Sequence, residues 1–403
     1  MKLPISVRTL LPLALPALLP VLMATLLTPA ARAQAATQAA TQAATPAAVI
    51  INGEPVVTLT RSVANSATPE FTSVTVMPGR GMELLQITAN WPGKGSIDVL
   101  SSQTLADAAD TLNNHDGPNG DRGYTFAGAF LIPYPNRIRG KQSADGKTIT
   151  AEWQGHDLTL PANTGGRGPG ADRAAMHGLI LKAKAEDVQV KKIPGGQQVT
   201  GVIHAGDFGG HWLSKTDLYF TISLKAGAVD VTIEARNVGS EAEPMAIGAH
   251  PYFTLPSGDR AQARVSVPAS MVAEVNNYQS VTPTGKLLPV EGTKFDMRDP
   301  NGRVLDGNGY DDNWSHIDWK NGVATVKVID PEAHYGVKVE ALSPQIKTLQ
   351  IFSPTTAKFV AVEEQYNFGD PLGAEWGKMD TGMVTLKPGQ STKWHIRVQL
   401  FVP

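Results

Sequence analysis

The stretch AIGAHPYFTLP, Ala246 to Pro256, sets one histidine, His250, between an apolar run and an aromatic, proline-bounded one. A second, His177, follows a glycine-rich loop and opens the apolar run GLILKA. Free histidine titrates at about 6.5, so either ring can take or give a proton near neutrality. A histidine where strand meets loop can project into a cleft; a hydrogen-bonded interior histidine is the competing reading for each taken alone. His115, His156, His204, His211, His316, His334 and His395 lie in polar or strand contexts and read as structural or surface groups.

A proton-transfer site needs a second group, and KFVAVEEQYNFGDP offers two carboxylates at the end of an apolar strand. Strand neighbours point to opposite faces, so Glu363 shares a face with Phe359 and Ala361, and Glu364 with Val360 and Val362. Both faces are apolar, and periodicity does not choose between them. YPNRIRGK places Arg137 and Arg139 on one face of a short strand, where a guanidinium fork suits hydroxyls or carboxylates of a ligand. A structural salt bridge is the alternative. DGNGYDDN, Asp306 to Asn313, looks calcium-like, but Tyr310 stands where an EF-hand needs an oxygen and no glutamate closes the loop. That excludes an EF-hand and leaves another kind of calcium site open. GGRGPG is neither a P-loop nor a dinucleotide fingerprint, and no HExxH occurs. With no cysteine in 403 residues, disulfides, thiolate metal sites and cysteine nucleophiles are excluded.

These residues must be held by strands. The chain carries 39 glycines and 29 prolines, which favours many short strands and turns over long helices. Runs such as VVTLTRSV, EFTSVTVM, LYFTISLKA and VDVTIEARNV alternate apolar and polar residues; in the last, Val229, Val231, Ile233 and Ala235 fall on one face. Only Ser101 to His115 reads as helical. The pattern predicts an all-β fold, a large antiparallel β-sandwich formed as one domain from residue 49 to 403. The loops NNHDGPNGDRG and Pro161 to Met176 are candidate rims of a cleft. Residues 1–33 combine Lys2, Arg8, an apolar run and the small-x-small site ARA, and read as a signal peptide. Residues 34–48 repeat QAAT and read as a flexible spacer. A periplasmic or secreted protein with no membrane attachment after cleavage is expected. A formal net charge of -2 gives no electrostatic reason to bind nucleic acid.

The order PNRI, MHG, GAHPYF, GYDDNW, FVAVEEQ resembles that of the aldose 1-epimerase (galactose mutarotase-like) family, over the whole span from Val49 to Val402. The resemblance implies a galactose mutarotase-like supersandwich with a sugar-binding cleft on one concave sheet. It implies interconversion of the α and β anomers of a free aldose, with a monosaccharide as partner, no cofactor and no metal, in a monomer or homodimer. Matched site by site, Glu363 stands for the catalytic base, with Glu364 where the family has Pro or Thr. His250 stands for the general acid, ionised at the start, and His177 for the histidine near the ring oxygen. Asn136 and Arg137 match the Asn and Arg of NRI, and Asp311 the aspartate that holds sugar hydroxyls, with Asp312 adjacent to it. MHGLI departs from the commoner LHGG, beside the expected sugar site. A noncatalytic carbohydrate-binding protein and a glycoside-processing enzyme using Glu363 with Asp311 are the rival readings on the same fold.

Overall fold

A strand that alternates apolar and polar residues has one face to bury, and this chain buries it by stacking two large antiparallel sheets. The computed structural model describes residues 48–114, 117, 120, 122–164, 173–276 and 278–403. The expected signal peptide, and the spacer up to residue 47, lie outside the described residues. One sheet has nine strands in the spatial order Glu186–Ile193, Gly196–Gly206, Thr216–Lys225, Val229–Asn237, Ser391–Phe401, Tyr335–Ala341, Ala324–Asp330, Arg264–Ser266, Arg303–Val304. The other has eleven. Its path runs Pro283–Pro289, Ala269–Val275, Tyr310–Ile317, Thr348–Ser353, Phe359–Gln365, Gly248–Thr254, Gly128–Leu131, Glu83–Trp91, Glu70–Met77, Val57–Thr60, and Gly95–Asp98 also pairs with Glu83–Trp91. The expected all-β sandwich is the fold observed.

The core lies between the sheets. Val229, Val231, Ile233 and Ala235 are fully buried, as their alternation requires. Phe130, from the eleven-stranded sheet, meets Phe220 and Trp394 of the nine-stranded sheet at ring-centroid distances of 5.6 and 6.3 Å. Burying each side chain of this size contributes about 1.5–3 kcal/mol. The helix is Leu105–Asn114, shorter than expected at its start. Thr104 caps it: its hydroxyl accepts from the Asp107 N–H at 3.2 Å and donates to the Asp107 carboxylate at 2.7 Å, which leaves residues 101–103 outside. Ala108 and Leu112 pack with Met77, Leu85 and Phe126 over the far face of the eleven-stranded sheet.

Along Phe359–Gln365, Val360 and Val362 enter the core between the sheets, and Glu364 points the same way. Its carboxyl is fully buried and neither oxygen has a hydrogen-bond partner among the described residues. Burial pushes its pKa up to about 8 from the ordinary 4.5. Between those values the folded protein keeps a proton that the unfolded chain releases. Stability therefore falls as pH rises from the lower value to the higher. Glu364→Gln removes that slope. In urea unfolding from pH 4.5 to 8, the variant's advantage over the parent should grow by on the order of 4 kcal/mol. A difference that stays constant with pH would sink this placement of Glu364.

Candidate active site

The face of the eleven-stranded sheet away from the core carries a second pattern. Tyr252 stands opposite Ala361, and continuing that register two residues along brings His250 opposite Glu363. Gln350 stands opposite Glu363, and Phe352 opposite Ala361. On the next strand Asn313 is opposite Gln350, and Asp311 opposite Phe352. Two rows thus cross four adjacent strands: Asn313, Gln350, Glu363, His250, and beside it Asp311, Phe352, Ala361, Tyr252. Alternation puts Leu349, Ile351, Val360, Val362, Ala249 and Phe253 on the opposite face, where all six join the core. The same rule decides what periodicity left open. Glu363 faces the rows and Glu364 the core; Tyr252 faces the rows and Phe253 the core.

Over these rows lies a cleft of about 310 Å³, lined by Asn136, Arg137, His177, His250, Asp311 and Glu363 together with Tyr124, Tyr252, Gln350 and Phe352. The six residues singled out from the sequence therefore surround one cavity. Asp312 does not line it: it faces the side of Tyr310 and Trp314 and accepts a 2.7 Å hydrogen bond from the Tyr278 hydroxyl. Burial pushes its pKa up to about 6. The turn before it is clamped from outside the cleft, since Arg260 donates to the carbonyls of Asp306 and Asn308.

Arg137 and His177 arrive from two short paired strands, Arg137–Ile138 and Ala175–Met176. Arg137 donates to the carbonyls of Ser280 and Val281 at 3.0 and 2.7 Å, which ties the cleft wall to that loop. Arg139 departs from the expectation that it would share a face with Arg137. The strand ends at Ile138, and Arg139 turns to a salt bridge with Asp370 at 2.6 Å and Glu375 at 2.9 Å. Of the two expected rims, the first ends where Tyr124 and Thr125 enter the cleft wall. In the second, Asn163 clamps Met176 by two hydrogen bonds to its backbone, of 2.7 and 3.0 Å.

The backbone here is held in an unusual conformation. Asn136 and His177 have φ of 60° and 62°, a left-handed geometry that costs a non-glycine residue on the order of 1 kcal/mol or more. The His177 N–H donates to the Asn136 carbonyl at 2.8 Å. Gly178 follows at φ 76°, and a Cβ there would collide with the Ile132 backbone. The glycine of MHG thus lets the chain turn tightly enough to aim His177 inward.

His250 Nε2 lies 3.3 Å from Glu363 Oε1. The other carboxylate oxygen of Glu363 accepts from Gln365 Nε2 at 2.7 Å. The Tyr252 ring stacks on His250 at 4.5 Å, its hydroxyl 3.5 Å from His250 Nε2 and donating to the Tyr124 carbonyl at 2.7 Å. The His177 and His250 rings meet edge-on at 5.2 Å. Desolvation dominates their titration. It pushes His250 down to about 3 and His177 well below 6.5, the latter helped by the charges of His250 and Arg137. It pushes Glu363 well above 4.5, with Asp311 adding to the rise. The expectation of an ionised Glu363 beside a protonated His250 is thereby corrected for the free protein. A buried pair without substrate favours its neutral form, with the shared proton on the carboxyl.

Gln350, Asn313, Gln365 and the aromatic wall of Tyr124, Phe352 and Phe359 escaped the sequence reading. A glutamine within the apolar strand TLQIFS was a usable signal for the first, since it alternates with Phe352. Nothing in the sequence pairs that strand with GYDDNW.

The geometry can be set beside known proteins. A family model described as aldose 1-epimerase matches residues 100–399. A galactose mutarotase-like protein from Clostridium acetobutylicum is 18% identical; the superposition covers 83% of this chain and 94% of that one, with a TM-score of 0.67. The GalM/aldose epimerase homologue from C. elegans is 16% identical, with 86% and 98% covered and a TM-score of 0.63. These likenesses show the fold. In sequence, the uncharacterized protein YihR of Escherichia coli (strain K12) is 26% identical over 155 residues, which spans 38% of this chain and 45% of that protein, less than half its length. With the match running from residue 100 into the chain's last strand, on this sandwich and around this cleft, the protein belongs to the aldose 1-epimerase family.

Proposed function

We propose that the protein is a mutarotase, interconverting the α and β anomers of a free aldose. The observation that carries this reading is the 3.3 Å contact between His250 Nε2 and Glu363 Oε1 on the floor of a cleft with room for one pyranose. Ring opening removes the proton from the C1 hydroxyl, delivers one to the ring oxygen and breaks the bond between C1 and that oxygen. The open aldehyde turns about C1–C2 and closes on its other face by the reverse transfers. Both steps move only protons between sugar and side chains, so neither calls for a cofactor.

Glu363 is the base and His250 the acid, with His177 assisting at the ring oxygen. The pair carries one proton throughout. Moving it across the short gap from Glu363 to His250 produces the carboxylate and imidazolium that opening needs. Sugar hydroxyls donating to the carboxylate favour that state in the bound complex. Gln365 holds the second carboxylate oxygen, so the first stays turned toward His250 and the sugar. Asp311, Asn136 and Arg137 hold the remaining hydroxyls and fix the ring for transfer. We also propose export from the cytoplasm, on the positive charge, apolar run and ARA site of residues 1–33, which favours unphosphorylated sugars as substrates.

Glu363→Gln and His250→Asn should each lower the enzymatic exchange of single anomers, followed by polarimetry or proton NMR, by roughly 10²- to 10⁴-fold with the fold intact by circular dichroism. Sugar binding with full activity in either variant refutes the pair. The pH profile offers a second check. Activity on the acid side is lost when the pair takes up a second proton, and burial has depressed the imidazole's affinity for it. The acid limb of kcat/KM should therefore fall well below the ordinary histidine value of 6.5, as a property of the pair. An acid limb at the ordinary value would contradict the buried, directly coupled arrangement.

A further inference from the structure

Beyond the acid and base, a chain of three hydrogen bonds with a fixed direction runs through Asn313 and Gln350 and links the two rows. The Gly369 N–H donates to Asn313 Oδ1 at 3.0 Å. Asn313 Nδ2 donates to Gln350 Oε1. Gln350 Nε2 donates to Asp311 Oδ1 at 2.7 Å. Asn313, Gln350 and Asp311 are all buried. Each side-chain amide could in isolation point either way, because it has an acceptor at one end and donors at the other. The backbone N–H removes that freedom, since it can only donate. Its peptide is itself held, as the Phe368 carbonyl accepts from Asn367 Nδ2 at 2.6 Å.

We propose that Asn313 is a positioning residue for sugar binding: it passes the polarity of the Gly369 N–H through Gln350, so that Gln350 presents donors to the Asp311 carboxylate. The inference rests on the reading of this cleft as a sugar site and extends it to a residue that lines no part of the cavity. With an acceptor in place of Asn313's donor, the Gln350 amide meets an acceptor at one end whichever way it turns: its oxygen faces residue 313 or, after half a turn, the Asp311 carboxylate, and in the second case Asp311 would be displaced from the position in which it meets the sugar.

Asn313→Asp tests this directly. An aspartate still accepts from Gly369 but cannot donate to Gln350, so it reverses the relay. Reversal is harmful only while residue 311 is a carboxylate. In an Asp311→Asn background the reversed Gln350 oxygen meets an amide donor at that position, and every bond is made again. The affinities of D-glucose, D-galactose and D-mannose, measured by calorimetry for all four proteins of this cycle, should show Asn313→Asp weakening binding roughly tenfold in the parent and by less than about twofold in the Asp311→Asn background. The same factor in both backgrounds, or no effect in either, overturns the proposal, because a merely structural role for Asn313 would not depend on the charge at 311.

The urea unfolding midpoints of the same four proteins supply a second measurement, with the loss on Asn313→Asp expected to shrink in the Asp311→Asn background. If Asn313→Asp does not fold in the parent, the double variant with Asp311→Asn decides: it should fold and bind sugar within about twofold of Asp311→Asn alone, and a double variant that also fails to fold overturns the proposal. Neither readout uses turnover, so a protein that fails to exchange anomers and a relay that fails its cycle are told apart.

Discussion

Everything in the cleft depends on the register between two strands, Gly248–Thr254 and Phe359–Gln365. Side chains alternate with a period of two, so a slip of one residue would exchange the two faces of a strand. It would carry Glu363 into the core, turn Glu364 toward the cleft and leave His250 opposite the wrong neighbour. The register is held by the core. Val360, Val362 and Phe253 interlock with the nine-stranded sheet on one face, and this apolar packing decides which polar residues appear on the other. The proposed chemistry is thus positioned by residues that take no part in it.

The arrangement carries a large electrostatic burden. Glu363, His250 and His177 are buried within the space of one cleft, and water has been replaced by few partners. Desolvation drives each toward its neutral form, and the direct His250–Glu363 contact lets the pair stay neutral while keeping a proton that can move. A left-handed backbone at Asn136 and His177 adds conformational strain at the same place. A sandwich of this size, with a core that runs the length of both sheets, can hold such unfavourable groups because their cost is spread against extensive apolar burial.

Polar order in the cleft comes from bonds with only one possible direction. The Gly369 N–H orients Asn313, and through it Gln350; Gln365 orients one oxygen of Glu363; the Tyr124 carbonyl accepts from the Tyr252 hydroxyl and sets the ring that stacks on His250. Each lies one step behind a group that could touch a sugar. Such supporting contacts turn a set of polar side chains into a defined geometry, since a buried network specifies one arrangement only when its members are satisfied.

Alternation in runs such as VDVTIEARNV determined the all-β sandwich from the sequence alone, because one-sided burial of a strand writes a period of two into its residues. The ordered motifs from PNRI to FVAVEEQ likewise brought forward the residues that now surround one cleft. The helix start at Thr104 was misjudged because a short capping side chain decides it. Arg139 was misjudged because the strand stops one residue earlier than the pattern suggested. The choice of Glu363 over Glu364 could not be made along the chain, since each has an apolar residue two positions before it, Ala361 or Val362, and the choice of Asp311 over Asp312 rested on the resemblance alone. The same holds for the Gly369–Asn313–Gln350–Asp311 chain, whose members come from three separate segments. Those decisions belong to the tertiary structure alone: only the packing of one sheet on another defines which face of a strand is inside, and only register across strands brings together residues that sequence distance keeps apart.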